Sequence, residues 1–309
     1  MNPKISILIP VYKRLELLKD ALESAIQQTY INTEIIVVLN PSVPEIDMEI
    51  EHYVHVRSME VPSISFYKNE VNIGMAGNWN CCIAKATGEY SFILADDDTL
   101  MPFAIERFVE NIQTDTDVVF SNHYVINETG AIVKDYEVYT HIYKRDKLST
   151  GKVENPEKVI WENSIPITAS LIRTSLLQKI QFSVQLNTPE IVFFLKANLQ
   201  QANFYFVNEY LTCYRVHGTS TTSAGLNHHL LFEELKNIPV SSVNVSYKNA
   251  FVSGIATPAI SRYLKFGNKK EAWAIFKSKY NLCKLVKVKT ALQLALFLLP
   301  SKVIKAVMK

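Results

Sequence analysis

Cysteine is scarce in this chain and poorly placed for structure: of 309 residues only Cys81, Cys82, Cys213 and Cys283 are cysteine. The adjacent pair is ill suited to an ordinary structural disulfide and no pair has metal-ligand spacing, so the thiols read as reduced and a disulfide scaffold is excluded. Internal repeats, low-complexity tracts and long linkers are missing. The apolar tract Ala291–Pro300 is too short to cross a bilayer as a helix. At the other end, Met1-Asn2-Pro3-Lys4 leads straight into an apolar strand pattern, without the charged leader and cleavage site of a secretory signal. The expectation is a protein that stays in the cytoplasm.

What is present is enough to fold: 48% of residues are hydrophobic and 20% charged, which suits one large domain or a domain with an appendage. The net charge of +2 hides an asymmetry, because residues 261–309 carry twelve basic side chains against the single acid Glu271. With lysines on both sides of Ala291–Pro300, this basic tail reads as a helix lying on an anionic membrane face, the competing reading being a core helix that closes the domain. The tail is rich in aliphatics and lacks interleaved aromatics and polar base readers, which argues against a nucleic-acid partner.

Strand and helix patterns alternate from the amino terminus. Strands are expected at Ile5–Ile9, Glu34–Leu39, Ser63–Tyr67 and Tyr90–Leu94. Helices are expected from about Arg14 to Gln28, where Leu15, Leu18, Leu22 and Ile26 recur at spacings of three and four, then at Met75–Ala86 and Pro102–Asn111. Such alternation predicts an α/β fold, a mostly parallel sheet flanked by helices. Beyond the strand pattern of Asp117–Ser121, a hairpin is expected from His123–Asn127 and Ala131–Tyr139 across Glu128-Thr129-Gly130. A helix over Pro189–Gln201 and strands at Phe204–Val207 and Leu211–Val216 follow. From about Leu226 the pattern is helical, giving an expected domain of residues 1–225 and a basic helical extension of 226–309.

The most informative motif is Ala95-Asp96-Asp97-Asp98-Thr99, directly after the strand pattern of Tyr90–Leu94. Adjacent carboxylates repel, so three of them at a strand's carboxyl end point to a site where a divalent cation or a metal–polyphosphate complex supplies positive charge. The competing reading is an acidic turn before the helix at Pro102. Other strand ends converge on the same sheet edge: Pro10-Val11-Tyr12-Lys13-Arg14, Asn40-Pro41-Ser42, and the segment Asn72-Ile73-Gly74-Met75-Ala76-Gly77-Asn78-Trp79-Asn80. A nucleotide fits across such an edge. Trp79, Trp161 and Trp273 suit cores better than sugar stacking, and His228-His229 reads as surface.

Taken together, Pro10 and Tyr12, the segment from Asn72 to Asn80 continuing through Ala86-Thr87-Gly88-Glu89-Tyr90, and the acidic turn resemble the family 2 glycosyltransferases over roughly the first 220 residues. That family has the Rossmann-like fold called GT-A. The resemblance implies an inverting transfer of a sugar from a nucleotide-diphosphate donor, a UDP-sugar above all, to a hydroxyl of a glycan or lipid-linked acceptor. It implies Mn²⁺ or Mg²⁺ on Asp97 and Asp98, with Asp96 reaching ribose or standing behind them. Pro10, Tyr12, Arg14, Asn72, Gly74, Asn78 and Asn80 are implied on the donor side. So is Asn40, whose amide stands beside Leu39 where relatives carry a base-reading aspartate. Arg215 and His217, in a loop like the one that closes the family's site, are implied to meet diphosphate or metal. The general base falls to Glu190, because Ile191 stands where relatives place a second acid. These departures keep two other readings open: a non-catalytic nucleotide-sugar-binding or scaffold subunit, and a nucleotidyltransferase, whose glycine-rich phosphate loop is not apparent near the amino terminus.

Overall fold

β1 (Ile5–Val11) is apolar on both faces, as a central parallel strand must be: Ile5, Ile7, Leu8, Ile9 and Val11 are all 0% exposed. In the computed structural model, which describes residues 2–218, 226–281, 294–300 and 303, β1 is followed by α1 (Leu15–Ile26), β2 (Thr33–Leu39), α2 (Pro44–Glu60), β3 (Ile64–Lys68), α3 (Gly74–Lys85) and β4 (Tyr90–Ile93). These form an alternation of strands and helices with β1 paired in parallel to β2 and β4, and β2 in parallel to β3. After the acidic turn come β5 (Thr99–Leu100), α4 (Ala104–Glu110), β6 (Val118–Ile126), α5 (Glu137–Ile142), β7 (Gly151–Lys152), α6 (Pro156–Trp161), β8 (Ser170–Arg173), α7 (Thr174–Ile180), α8 (Glu190–Leu199) and β9 (Phe204–Arg215). The sheet runs β3-β2-β1-β4-β8-β6-β9-β5, with β7 on β9. Its long pairings are parallel, and helices flank it.

α2 was not anticipated because its buried face, Asp47, Ile50 and Val54, contains a carboxylate, while Met48 and Met59 are exposed. The expected hairpin after Ser121 does not form: a single bridge joins Ile126 to Ile132, and the tyrosine-rich stretch that looked like its second strand turns helical in α5. The two expected strands after Phe204 are one strand, β9, whose register against β6 slips on both sides of Asn122 and leaves Asn208, Glu209 and Leu211 without a register partner on β6.

Gly88 shows how tightly the strands meet at the end away from the acidic turn. Its N–H donates to Ser6 Oγ at 2.9 Å, and a Cβ there would sit 2.7 Å from both Lys4 O and Ser6 N. Backbone atoms cannot yield as a flexible side chain would, so Gly88→Ala is expected to lower stability by about 1–3 kcal/mol in a urea melt.

The chain divides into two compact units, Met1–Val184 with Pro189–Ser223, and Gln185–Thr188 with Ala224–Lys309. The second contains α9 (His228–Asn237), α10 (Val245–Phe266) and α11 (Lys269–Lys277). His229 is in its core, its ring against Tyr263 at 5.0 Å and Phe266 at 5.5 Å, which corrects the surface reading; burial is favoured because an apolar aromatic face is available on α10. Of the tail tract, Ala291 to Gln293 lie outside the described residues. Residues 294–298 are helical, with the Phe297 ring on Trp273 and Phe276 and with Lys269 Nζ bonding Phe297 O at 2.9 Å. No helix of the described residues is long and apolar enough to cross a membrane.

Candidate active site

The site begins with a missing hydrogen bond. Leu94 N donates to Leu8 O at 2.9 Å, and the next residue of β1 on that side is Pro10, which has no N–H to give. Pairing between β1 and β4 therefore stops and the two strands part at their carboxyl ends. Tyr12, two residues further, aims its N–H into this gap and donates to Asp96 Oδ2 at 2.8 Å. Lys13 then takes a left-handed conformation, with φ 73°, to turn the chain into α1.

The acidic turn is held from the opposite side by β9. Arg215 N donates to Asp98 Oδ1 at 2.8 Å, and its Nε donates to Asp97 O at 2.8 Å. The remainder of the Arg215 guanidinium, almost fully buried, reaches Asp20 Oδ2 at 2.8 Å and Glu128 O at 3.0 Å. This side chain fixes the shape of the turn, a different task from the diphosphate contact expected of it. Asp20 carries no sequence signal for this, since its role arises only from packing α1 beside the turn.

Arg14 and His217 face the carboxylates. Arg14 bonds Asp96 Oδ1 and Asp97 Oδ2, each at 2.5 Å, and His217 Nε2 lies 2.9 Å from the same Asp97 oxygen and 3.4 Å from Arg14 Nη1. Two of the three acids, Asp96 and Asp97, thus share the Arg14 guanidinium, while Asp98 has only the Arg215 N–H. Burial pushes Asp96 up to about 7 despite the pull of Arg14. Burial first, and then the Asp97 charge, pushes Asp98 well above the usual carboxylate range. Asp98 Oδ2 is buried with no hydrogen-bond partner. A turn so rich in negative charge and so poor in compensation is suited to receive a cation.

The expected donor-side asparagines form a second cluster, and here the structure corrects the reading. Asn40 does not present its amide to a base: it is 3% exposed, donates to Asn72 Oδ1 at 2.8 Å and Gly74 O at 3.4 Å, and accepts from Ile73 N at 3.1 Å and Asn69 Nδ2 at 3.3 Å. It folds the loop into α3, where Gly74 adopts φ +75°. Asn40→Asp would set a carboxylate oxygen against Asn72 Oδ1 and Gly74 O, so a loss of about 1–3 kcal/mol is expected on thermal melting. Asn78, also 3% exposed, ties Val38 O at 2.9 Å to Asn69 at 2.8 Å. Asn80 closes a two-point clamp on the Phe182 backbone, each bond 2.9 Å. These amides are committed to the scaffold because every strong donor and acceptor they own is already paired inside the protein. Asn72 is more open, though it too accepts from Gly74 N at 2.9 Å.

Glu190 opens α8 and is hydrogen-bonded to none of these residues. Burial pushes its carboxyl up to about 7, which its own backbone N–H only partly offsets. Ile191 is 3% exposed within the apolar run through Leu195, so packing explains the missing second acid. The Trp79 and Trp161 side chains are buried, and Trp273 stacks on Phe276.

With this geometry in view, the known proteins that the chain resembles can be placed. Residues 6–179 match the profile of "Glycosyl transferase family 2". An uncharacterized glycosyltransferase of Methanocaldococcus jannaschii is 27% identical over 222 residues, 70% of this chain and 71% of the relative. Among solved structures, a fragment of S. aureus TarS in complex with UDP-GlcNAc has a TM-score of 0.60 at 16% identity, covering 95% of this chain and 80% of that one. This chain is matched to 44% of the longer TarS chain. The mannosyltransferase PcManGT from Pyrobaculum calidifontis, in complex with GDP-Man and Mn²⁺, has a TM-score of 0.57 at 13% identity, covering 99% of this chain and 84% of that one. The matched profile spans more than half of the sequence and includes the whole acidic turn, and the chain belongs to glycosyl transferase family 2: it is a glycosyltransferase of GT-A fold.

Proposed function

We propose that this enzyme is a metal-dependent, inverting transferase that moves a sugar from a nucleotide-diphosphate donor to a hydroxyl of a glycan or lipid-linked acceptor, in the assembly of surface polysaccharide. The observation that carries this reading is the turn Asp96–Asp98, wedged between β1 and β9 with Arg14 and His217 facing it. The UDP-GlcNAc bound by TarS and the GDP-Man and Mn²⁺ bound by PcManGT support a nucleotide-sugar donor for the same fold. UDP-sugars are the donors proposed first.

The residues present fit a divalent cation. Asp98 Oδ2 is a buried oxygen without a partner, Asp97 adds a second carboxylate, and His217 Nε2 stands beside it. Among the described residues no three such ligands form a site by themselves. That suits a cation that takes one or two protein carboxylates and completes its shell from phosphate oxygens. When bound to Asp97 and Asp98, Mn²⁺ or Mg²⁺ supplies Lewis-acid stabilisation of the charge on the departing nucleoside diphosphate. Arg14 adds N–H donors to the same phosphates, and Tyr12 and Asn72, at the ends of β1 and of the loop before α3, border the nucleoside. Arg215 positions the turn. Glu190 takes the proton of the acceptor hydroxyl as its oxygen bonds the anomeric carbon and the sugar–phosphate bond breaks.

Cytoplasmic location with contact at the membrane face is part of the proposal. Leu298 is 86% exposed and Leu294 40% exposed beside a lysine-rich α11, whereas Phe297 is packed inward. The test of the function is a coupled assay for nucleoside diphosphate release from UDP- and GDP-sugars, with and without Mn²⁺. Release that depends on both Mn²⁺ and one donor supports the reading; no release or transfer from any donor across a broad acceptor panel counts against it.

A further inference from the structure

Among the described residues Arg145 is a buried cation that makes no ion pair; its sequence neighbour Asp146 turns to His141 instead. Arg145 is 1% exposed, its Nε donates to Asn122 Oδ1 at 3.0 Å and its Nη1 to Ser164 O at 3.2 Å, and its Nη2 is buried with no hydrogen-bond partner. Every acceptor it has is neutral. Burial pushes the guanidinium down to about 10, opposed only by the Tyr143 and Tyr210 hydroxyls. A buried charge with an unsatisfied N–H is costly, and an anion reaching it from outside the chain would offset that cost. Two further polar atoms in this neighbourhood are also buried and unpaired: Ser164 Oγ and His123 Nδ1.

A tyrosine cluster adjoins this cation, with Tyr143 over it. Tyr124 on β6 stacks on Tyr210 of β9 at 4.9 Å, and Tyr136 packs edge-on against both, at 4.9 and 5.1 Å. Tyr143 follows α5, its ring 5.5 Å from the guanidinium carbon. All four are part-exposed. The cluster lies at the carboxyl-terminal halves of β6 and β9, in which Ile126 pairs with Arg215 and so leads to the acidic turn. Near its other edge, Tyr143 feels the charge of Glu190. Flat aromatic faces take the C–H faces of sugar rings, and a guanidinium takes carboxylate or phosphate.

We propose that the tyrosine cluster beside Arg145 is the acceptor subsite and that it selects an anionic glycan, one bearing carboxylate or phosphodiester groups, with the Tyr143 ring yielding so that the anion meets Nη2. The inference rests on the transferase reading and names its acceptor class.

The test is calorimetric titration of the full chain with three probes: trigalacturonate, a glycerol phosphate trimer and neutral maltotriose. UDP and GDP with Mn²⁺ are titrated separately. At least one anionic probe binds about tenfold more tightly than maltotriose, and the better of the two tells carboxylate from phosphodiester. Arg145→Met removes this preference and leaves nucleotide binding unchanged. The more exposed Tyr136→Ala weakens all three oligosaccharides and provides a second readout should the arginine variant fail to fold. Equal affinity for the three probes in the unmodified protein, a preference that survives Arg145→Met, or no weakening in Tyr136→Ala overturns the proposal; a buried water then satisfies Arg145. Failure to bind any nucleotide would instead count against the transferase reading, whatever the oligosaccharides do.

Discussion

Asp97→Asn is expected to lower sugar transfer by about a thousandfold while the protein remains folded. The change keeps the shape of the side chain but removes the charge that Arg14 and His217 face, each within 3 Å in the present structure. Loss of one strong electrostatic contact to a developing charge corresponds to about 3–4 kcal/mol of transition-state stabilisation. Folding has less to lose. Arg14 keeps Asp96, and removing one of three clustered acids relieves repulsion, so the change in stability should stay within about 1 kcal/mol. The checks are initial rates of nucleoside diphosphate release together with a thermal melt. An Asp97→Asn enzyme with a near-normal rate would show that Asp97 braces the turn and takes no part in the chemistry.

Glu190→Gln is expected to separate activity from stability. As the proposed base, Glu190 contributes about a hundredfold to ten-thousandfold in rate, and the variant loses that amount. Its folded-state carboxyl is raised from the ordinary 4.5 to about 7. The stability it lends is therefore full below about 4.5 and is lost as pH rises through 7, because the unfolded chain releases the proton first. Above pH 7 glutamine should accordingly stabilise the protein, by about 1–3 kcal/mol at about 1.4 kcal/mol per pKa unit. In the unmodified enzyme the rate should climb with pH and level off above about 7, where the base is ionised; the Gln variant should lack that limb. Denaturant melts at pH 5 and pH 8, paired with rates at the same values, read both effects. A Gln variant with full activity would move the base elsewhere.

The first half of the fold was legible because central parallel strands and amphipathic helices leave strong local patterns. Ile5 to Val11, Leu15 to Ile26 and Tyr90 to Ile93 are examples in which burial and spacing agree. α2 was hidden by a carboxylate on its buried face, where Asp47 accepts from Ser42 N and Oγ. β8 is set by antiparallel pairing with β4 and β6, partners far away in the sequence that no local pattern encodes. Tyr136 to Tyr143 carry strand-forming side chains, yet Tyr136 packs against Tyr124 and Tyr210 and the chain turns into α5 directly after it. Within the site, Asp96, Asp97, Asp98, Arg14, Tyr12 and His217 could be named from motif and strand ends, and the fold brings them together. What no pattern reveals is which polar side chains are already spent. Asn40, Asn78 and Asn80 looked like free amides and are internal ties. Arg215 looked like a phosphate ligand and is a brace. Arg145 gave no signal at all, since an unpaired buried charge is a property of three-dimensional surroundings.

The central claim is that the aspartate turn holds a cation against the paired phosphates of an activated donor. Its most direct measurement is calorimetric titration of the protein with nucleoside diphosphates, UDP first, in the presence and absence of Mn²⁺. The account predicts binding at least about tenfold tighter with the metal, a gain that disappears in Asp97→Asn. Equal affinity with and without Mn²⁺, or a metal effect untouched by the substitution, would contradict it.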